Sequence, residues 1–221
     1  MVVLVVAPHP DDEVLGCGGV MARHAAQGDD VHVVIVGKGI PELFPEEYFQ
    51  QAVRELEAAH AILGVRNTLF LNFPAPQFDT VGGHKLADAM RRIIYDLQPQ
   101  LIYLPHRGDI HTDHRAVYTA VLVAARPLMN CPVRKLLCYE TLSETEWAPP
   151  FGDDAFIPTV FVDISDYLDH KLRAMACYRS QLKEPPHSRS LRSLEALARL
   201  RGGTVTLDAA EAFMLVREVI D

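Results

Sequence analysis

The feature that most constrains the fold is an alternation of short apolar runs with longer amphipathic segments. The first run, Val2–Ala7, contains no polar residue and is rich in valine, which is typical of a strand buried on both faces. Further strands are predicted at 31–36, 68–72, 101–105, 133–139 and 159–163, and helices at 14–27, 46–63, 85–97, 113–125, 166–182, 191–200 and 209–219. For the last helix, Asp208 is the predicted N-cap and Glu211 completes a capping box. This order favours an α/β fold, a single domain over residues 1–221 with a mainly parallel sheet and helices on both faces.

The composition argues against several classes of binding partner and against a membrane protein. The chain carries 29 acidic and 21 basic residues, a net charge of -8, which argues against nucleic-acid binding because phosphates attract clustered positive charge. Its four cysteines show no CxxC spacing, which argues against a cysteine zinc knuckle. No apolar stretch reaches membrane-spanning length, and the start MVVLVV lacks the basic region of a signal peptide. The sequence therefore predicts a cytoplasmic protein without membrane insertion.

The segment after the first strand, APHPDDEVLGCGG, combines glycines with three consecutive acids. A dinucleotide-binding turn needs the pattern GxGxxG, and here Gly16 and Gly18 fit its first two positions while Met21 occupies the third. The acids at 11–13 stand where a phosphate would have to bind, and Gly37 follows the second strand in place of the ribose-binding acid. We therefore interpret the glycines as sites of close helix packing and reject a nucleotide cofactor.

The same turn contains candidate metal ligands. His9 and Asp12 follow the first strand, and the sequence HTDH supplies His111 and His114 three residues apart at the start of a predicted helix. Both motifs follow predicted parallel strands, whose carboxyl ends meet at one edge of the sheet. Imidazole and carboxylate ligands suit zinc, and three protein ligands leave a fourth position for water. Taken singly, the acids also fit a solvated turn and Asp113 an N-cap, so the metal hypothesis depends on the two motifs together.

The motifs PHPDDE at 8–13 and HTDH at 111–114 resemble those of the PIG-L/LmbE-like zinc-dependent N-acetylglucosaminyl deacetylases. The resemblance extends to Arg54, Glu57 and ILG at 62–64, and to the segments YETLSETEW at 139–147 and FIPTVFVDIS at 156–165. Thr112 departs from the family pattern, which has proline there. The resemblance implies a Rossmann-like fold, a zinc cofactor with iron(II) as the alternative, and a homo-oligomer, either a trimer or a hexamer.

The resemblance also implies roles for individual side chains. The metal ligands would be His9, Asp12 and His114, and Asp11 would be the general base. His111 would act as acid or oxyanion partner with Asp113 as its orienting carboxylate, and Arg54 would bind substrate. From the residues alone Arg54 fits a surface ion pair with Glu57 equally well. The segment KEPPHSRS at 183–190 fits either a lid carrying His187 and Arg189 or an exposed connection.

Together these patterns predict a hydrolase that removes the acetyl group from a small amino-sugar substrate containing N-acetylglucosamine. Two alternatives remain from the sequence. One is an amidase with the same site that acts on a thiol conjugate or on a glycopeptide acyl group, because loops outside the metal motifs set specificity. The other is a non-catalytic module that binds metal or sugar.

Overall fold

The computed structural model describes residues 1–128 and 130–220. Within these residues the chain forms seven strands and six α-helices around one sheet. The strands are β1 (Val2–Ala7), β2 (Asp30–Gly39), β3 (Asn67–Ala75), β4 (Leu101–Pro105), β5 (Lys135–Tyr139), β6 (Val160–Asp163) and β7 (Ala210–Glu218). The helices are α1 (Asp12–Ala26), α2 (Glu46–Leu63), α3 (Gly83–Leu97), α4 (Thr112–Ala124), α5 (Leu168–Cys177) and α6 (Leu191–Thr204), with short 3₁₀ turns at Phe78–Thr80, Gly152–Asp154 and Ser165–Tyr167.

The strand order is β3-β2-β1-β4-β5-β7-β6, and β1 to β5 are parallel. Alternate residues of β1 enter opposite cores: Val3 and Val5 face a core built with α1, α2, α5 and α6, and Leu4 and Val6 face one built with α3 and α4. The predicted α/β fold, a mainly parallel sheet with helices on both faces, is confirmed. The chain order reverses between β1 and β4, which is where open sheets of this type bind ligands.

The glycines of α1 allow close packing, as predicted. A Cβ atom on Gly16 would lie within 2.2 Å of the ring of Tyr139 in β5, and one on Gly19 within 2.7 Å of Ile164. Separations this short are far inside van der Waals contact, so only glycine lets α1 approach the sheet and the segment after β6 so closely.

The prediction of a helix at 209–219 is wrong, because this segment is strand β7, which lies antiparallel between β5 and β6. Asp208 and Glu211 are therefore not helix-capping residues. Glu211 is buried, where its carboxylate accepts hydrogen bonds from the backbone of Gly19 and Val20 and pairs with Lys171. These partners are at least 40 residues away along the chain, so a local capping pattern gave no sign of them.

The predicted helix at 166–182 is also shorter in the structure. It opens with the 3₁₀ turn Ser165–Tyr167, and α5 ends at Cys177. The next residues turn away because their side chains have distant partners: Tyr178 donates to Glu13, and the hydroxyl of Ser180 donates to Glu55 at 2.5 Å.

Candidate metal centre

The fold brings the two sequence motifs together. Since β1 and β4 are neighbouring parallel strands, the turn after β1 and the loop after β4 lie side by side at the carboxyl edge of the sheet. His9 lies in that turn, Asp12 is the first residue of α1, and His114 lies in the first turn of α4. Their ligand atoms all lie within 4.8 Å of one another.

The distances among these atoms fit a metal ion. Oδ2 of Asp12 lies 3.4 Å from Nδ1 of His9 and 3.3 Å from Nε2 of His114. Two ligand atoms bonded at about 2.1 Å to a tetrahedral zinc lie about 3.4 Å apart. Asp12 is 1% exposed and His114 is fully buried. The arrangement, two imidazole nitrogens and one carboxylate oxygen, therefore matches a zinc-type donor set in spacing as well as in chemistry.

Each of the two imidazoles is held by a second carboxylate. Nε2 of His9 lies 3.0 Å from Oδ2 of Asp113, and Nδ1 of His114 lies 2.8 Å from Oδ2 of Asp109. Nε2 of His114 is buried without a hydrogen-bond partner, which is costly for a polar atom unless a ligand occupies it. Metal-binding histidines characteristically bond a carboxylate through their other ring nitrogen, so the free nitrogens of His9 and His114 fit a metal.

The charges of the side chains around His9 and His114 also fit a bound cation. Burial opposes a charge on His9, but its hydrogen bonds to Asp113 and Asp12 outweigh burial and raise its pKa to about 9. Burial likewise opposes a charge on His114, but Asp12 and Asp109 raise its pKa to about 10. Protons on these imidazoles compensate the buried carboxylates, and a divalent cation supplies the same compensation when it binds.

Asp11 precedes the ligand Asp12 and has an unusual backbone. Its φ is 111°, in the left-handed region that non-glycine residues rarely adopt, and its amide donates to Oε2 of Glu13 at 3.1 Å. Oδ2 of Asp11 accepts a hydrogen bond from Arg189 at 3.1 Å. Burial raises the pKa of Asp11 to about 8, and the charge of Arg189 partly offsets that rise. Such strain at a functional turn is consistent with a backbone that aims the carboxylate.

Glu13, the last residue of the first motif, is completely buried behind Asp11. Besides the Asp11 amide, its carboxylate accepts a hydrogen bond from the hydroxyl of Tyr178 and lies 3.3 Å from Nε2 of His60. His60 in turn contacts the hydroxyl of Thr68 through Nδ1 at 2.7 Å. Glu13 therefore links the strained turn to α2, β3 and the end of α5.

The pairing of Asp113 with His111 differs from the prediction. The carboxylate of Asp113 contacts His9 and accepts from the backbone of Phe78, whereas its own backbone amide donates to Nδ1 of His111 at 3.1 Å. Asp113 thus orients His111 through the main chain, because His111 is the N-cap of α4. An acceptor at Nδ1 places the proton of neutral His111 on Nε2. Burial, together with the nearby imidazoles, lowers the pKa of His111 to about 4.

A cavity of about 260 Å³ opens beside these residues. Its walls are His9, Pro10, Asp11, Asp12, Gly37, Gly39, Phe44, Tyr48, Phe49, Ala52, Ala75, Pro76, His111, Glu144, Gln181 and Arg189. Arg54 is exposed on α2 and is not among the lining residues, so its substrate-binding role stays a prediction. Arg189 does reach the cavity, as the lid interpretation of 183–190 expects, whereas the ring of His187 packs edge-on against Trp147.

Sequence reasoning missed two residues of the site. Asp109 is fully buried and holds His114, and its other oxygen accepts from the hydroxyl of Thr145 at 2.6 Å. Its position just before HTDH, in the loop that follows β4, was the available signal. Glu144 lines the cavity and pairs with Arg189 at 3.3 Å, but it lies 30 residues beyond His114 and no spacing connects the two.

Within the described residues, no helix is both long and apolar enough to cross a membrane.

Comparison with known proteins identifies the family. A family model described as PIG-L, GlcNAc-PI de-N-acetylase, matches residues 4–125. An uncharacterised deacetylase of Escherichia coli K12, YaiS, is 31% identical over 80% of this chain and 90% of its own length. A 1D-myo-inositol 2-acetamido-2-deoxy-alpha-D-glucopyranoside deacetylase of Mycobacterium sp. strain JLS is 29% identical over 85% of this chain and 76% of its own.

A solved structure with the same fold belongs to an enzyme that is named for a different reaction. The 4-carboxy-2-hydroxymuconate hydratase GalB of Pseudomonas putida KT2440 superimposes with a TM-score of 0.78 at 19% identity, over 100% of this chain and 98% of its own. This likeness shows the fold alone, because folds host unrelated chemistries. The sequence comparisons are more specific: since the family model covers more than half of the chain, the protein belongs to the PIG-L de-N-acetylase family.

Proposed function

We propose that this protein is a metal-dependent N-deacetylase that hydrolyses the acetamido group of a small substrate containing N-acetylglucosamine. The observation that carries the proposal is the convergence of both family motifs on one set of three ligand atoms, beside a cavity that is also lined by Asp11. The mycobacterial relative is named for an acetylated glucosamine substrate, which supports the same substrate class here.

His9, Asp12 and His114 would hold the metal, zinc or alternatively iron(II), through Nδ1, a carboxylate oxygen and Nε2. When bound, such an ion lowers the pKa of a coordinated water to about 7 and polarises a carbonyl oxygen. Asp109 and Asp113 fix the orientation of the two imidazoles by their hydrogen bonds. Outer carboxylates of this kind raise the basicity of the ligand nitrogens.

Asp11 is the general base in this proposal. Its carboxylate accepts the proton of the attacking water and afterwards delivers it to the nitrogen of the breaking amide bond, so that acetate and a free amine leave. His111 has a different task. Because its Nδ1 accepts the Asp113 amide, its Nε2 carries a proton and donates a hydrogen bond to the oxyanion that forms on the carbonyl oxygen. His111 performs this task in its neutral form.

The proposal is tested by measuring amine release from N-acetylglucosamine derivatives with the zinc-loaded protein. We expect turnover that a chelator removes and added zinc restores. An amidase with another substrate would release amine only from a thiol conjugate or an acylated glycopeptide. A non-catalytic module would bind zinc and release no amine from any of them, and that result would contradict the proposal.

Other predictions from the sequence and from the family resemblance remain proposals. One deacetylase domain would span residues 1–221, of which the family model matches 4–125. Arg54 would contact substrate, although it is exposed and outside the cavity lining. A cytoplasmic location and a trimeric or hexameric homo-oligomer belong to the same set of proposals.

A further inference from the structure

The cavity has two chemically different walls. One wall carries the metal cluster and the charged residues around it. The other, the aromatic wall, consists of Phe44, Tyr48 and Phe49, with Ala52, Ala75 and Pro76 beside them. The aromatic residues come from the segment after β2 and the first turn of α2, whereas the metal motifs follow β1 and β4.

The aromatic wall is not part of the folded core. Among the described residues, those packed on the two hydrophobic cores do not include Phe44, Tyr48 or Phe49, and all three are only partly buried. Their positions are nevertheless fixed. The rings of Phe44 and Tyr48 stack with centroids 5.4 Å apart, and the Tyr48 hydroxyl accepts a hydrogen bond from Gln181 at 2.6 Å. Ordered aromatic rings that serve no core and line a cavity are suited to a ligand.

The side chains that line the cavity offer no unpaired lysine or arginine to an anionic ligand group. Asp11, Asp12 and Glu144 line it, and Arg189 is the only lysine or arginine among its described lining residues. Arg189 is already paired with Asp11 and Glu144. Lys38 is next to the wall, with its ammonium 4.6 Å from the centre of the Phe49 ring, but it pairs with Glu46. A phosphate or carboxylate on the substrate would therefore find no unpaired lysine or arginine among the described lining residues.

We propose that the aromatic wall binds an apolar, uncharged substituent of the substrate while the N-acyl amide group reaches the metal cluster. This inference rests on the proposed deacetylase function and deepens it by naming the substrate class, an N-acylated amino sugar with an apolar group. The group has two chemical sources, an aglycone at the anomeric carbon or a long N-acyl chain, and either would gain free energy by covering these rings.

The experiment compares four substrates with the zinc-loaded protein: N-acetylglucosamine, its octyl glycoside, N-octanoylglucosamine and N-acetylglucosamine 1-phosphate. We expect kcat/KM for one octyl compound to exceed that for N-acetylglucosamine by about tenfold or more, which corresponds to burying about two methylene groups. The phosphate should be the poorest substrate. The better octyl compound shows whether the aglycone or the acyl chain occupies the wall.

The variants Phe49→Ser and Tyr48→Ser should each reduce the octyl preference severalfold. The matched control is Phe151→Ser, because Phe151 is 73% exposed and outside the cavity lining, and it should keep the wild-type preference. A phosphate substrate as good as the octyl compounds, or an unchanged preference in Phe49→Ser, would overturn the inference and leave the deacetylase function standing.

Binding to the metal-free protein separates this inference from the proposed function. Isothermal titration calorimetry should give octyl glucosaminide a Kd about tenfold or more below that of glucosamine 1-phosphate, and Phe49→Ser should remove most of the difference. Amine release from none of the four substrates would overturn the deacetylase function. Equal Kd values for the two ligands would instead overturn the assignment of the aromatic wall.

Discussion

Among the described residues, two groups of buried charged side chains differ in whether their polar atoms have partners. The first group is the metal cluster, which comprises His9, Asp12 and His114 with the supporting Asp109 and Asp113. There, Nε2 of His114 has no hydrogen-bond partner, and three ligand atoms converge on one point. Its composition, with more carboxylates than imidazoles, leaves an excess of negative charge that a cation would balance.

The second group is the Lys171–Glu211 pair, which lies between α5 and β7. Lys171 is 3% exposed and Glu211 is 4% exposed, and their charged atoms are 2.5 Å apart. The lysine also donates to the carbonyl of Leu15 at 2.8 Å, and the glutamate accepts from the amides of Gly19 and Val20. Burial of charged side chains alone therefore does not identify a functional site. The Lys171–Glu211 pair, whose polar atoms all have partners, connects α1, α5 and β7. The metal cluster, which has an unpaired nitrogen, is available for a ligand.

Removal of the metal should have the largest effect. Dialysis against a chelator should abolish deacetylation, because Asp11 and His111 have no polarised substrate or activated water to work on without the ion. Zinc added back should restore the rate, which an amine-release assay measures. Full activity of protein shown to be metal-free would contradict the assignment of a functional metal to the first group, and with it the contrast between the two groups.

Asp11→Asn should cause the second-largest loss of deacetylase activity. Loss of a general base lowers kcat by about 10²–10⁴-fold, while the metal content should remain that of the wild type because Asp11 is not a ligand. Asp96→Asn provides a matched control, since Asp96 is exposed near the C-terminus of α3 and is not among the residues that line the cavity. Unchanged turnover in Asp11→Asn with metal bound would remove Asp11 from the mechanism.

Lys171→Met tests the second group. It leaves Glu211 buried without its cation, which should reduce the free energy of unfolding by about 3–5 kcal/mol, as measured by urea denaturation. The double variant Lys171→Met/Glu211→Leu should recover much of that loss, because a buried pair can be replaced by apolar side chains. Activity per folded molecule should stay near that of the wild type. A specific loss of metal from Lys171→Met would show that the two groups are not independent.

The smallest effect is expected from Tyr178→Phe, which removes one donor to the buried carboxylate of Glu13. Glu13 keeps its contacts with the Asp11 amide and His60, so the free energy of unfolding should fall by about 1–3 kcal/mol. Thermal or urea unfolding measures the change. A loss as large as that of Lys171→Met would indicate that Glu13 cannot retain its other partners.

The two groups were not equally visible in the sequence. The candidate metal ligands lie in the segments that follow two predicted parallel strands, so local pattern and the geometry of parallel sheets were enough to bring His9, Asp12 and His114 together. The role of Glu211 was predicted wrongly, because its spacing from Asp208 fits a capping box. Its actual partners lie on α1 and α5. Its strand, β7, depends on pairing with β5 and β6, which no local pattern encodes.

Within the site, several contacts that sequence reasoning did not predict join residues that are distant along the chain. The sequence paired the carboxylate of Asp113 with His111, two positions away, but in the structure that carboxylate contacts His9, 104 positions away. Only tertiary structure brings those two side chains within hydrogen-bond distance. Arg189 reaches Asp11 across 178 positions, and sequence reasoning left its segment open between a lid and an exposed connection. Arg54, favoured by its position in the family pattern, lies on an exposed face.

The most direct test of the account is the metal content of the freshly purified protein, measured by atomic spectroscopy in three forms: wild type, His114→Ala and Lys171→Met. The account predicts about one divalent ion per chain in the wild type and in Lys171→Met, and almost none in His114→Ala, in keeping with a three-ligand site. Unfolding curves of all three forms establish that each is folded. Equal metal content in His114→Ala and the wild type would contradict the assignment of this cluster as the metal centre.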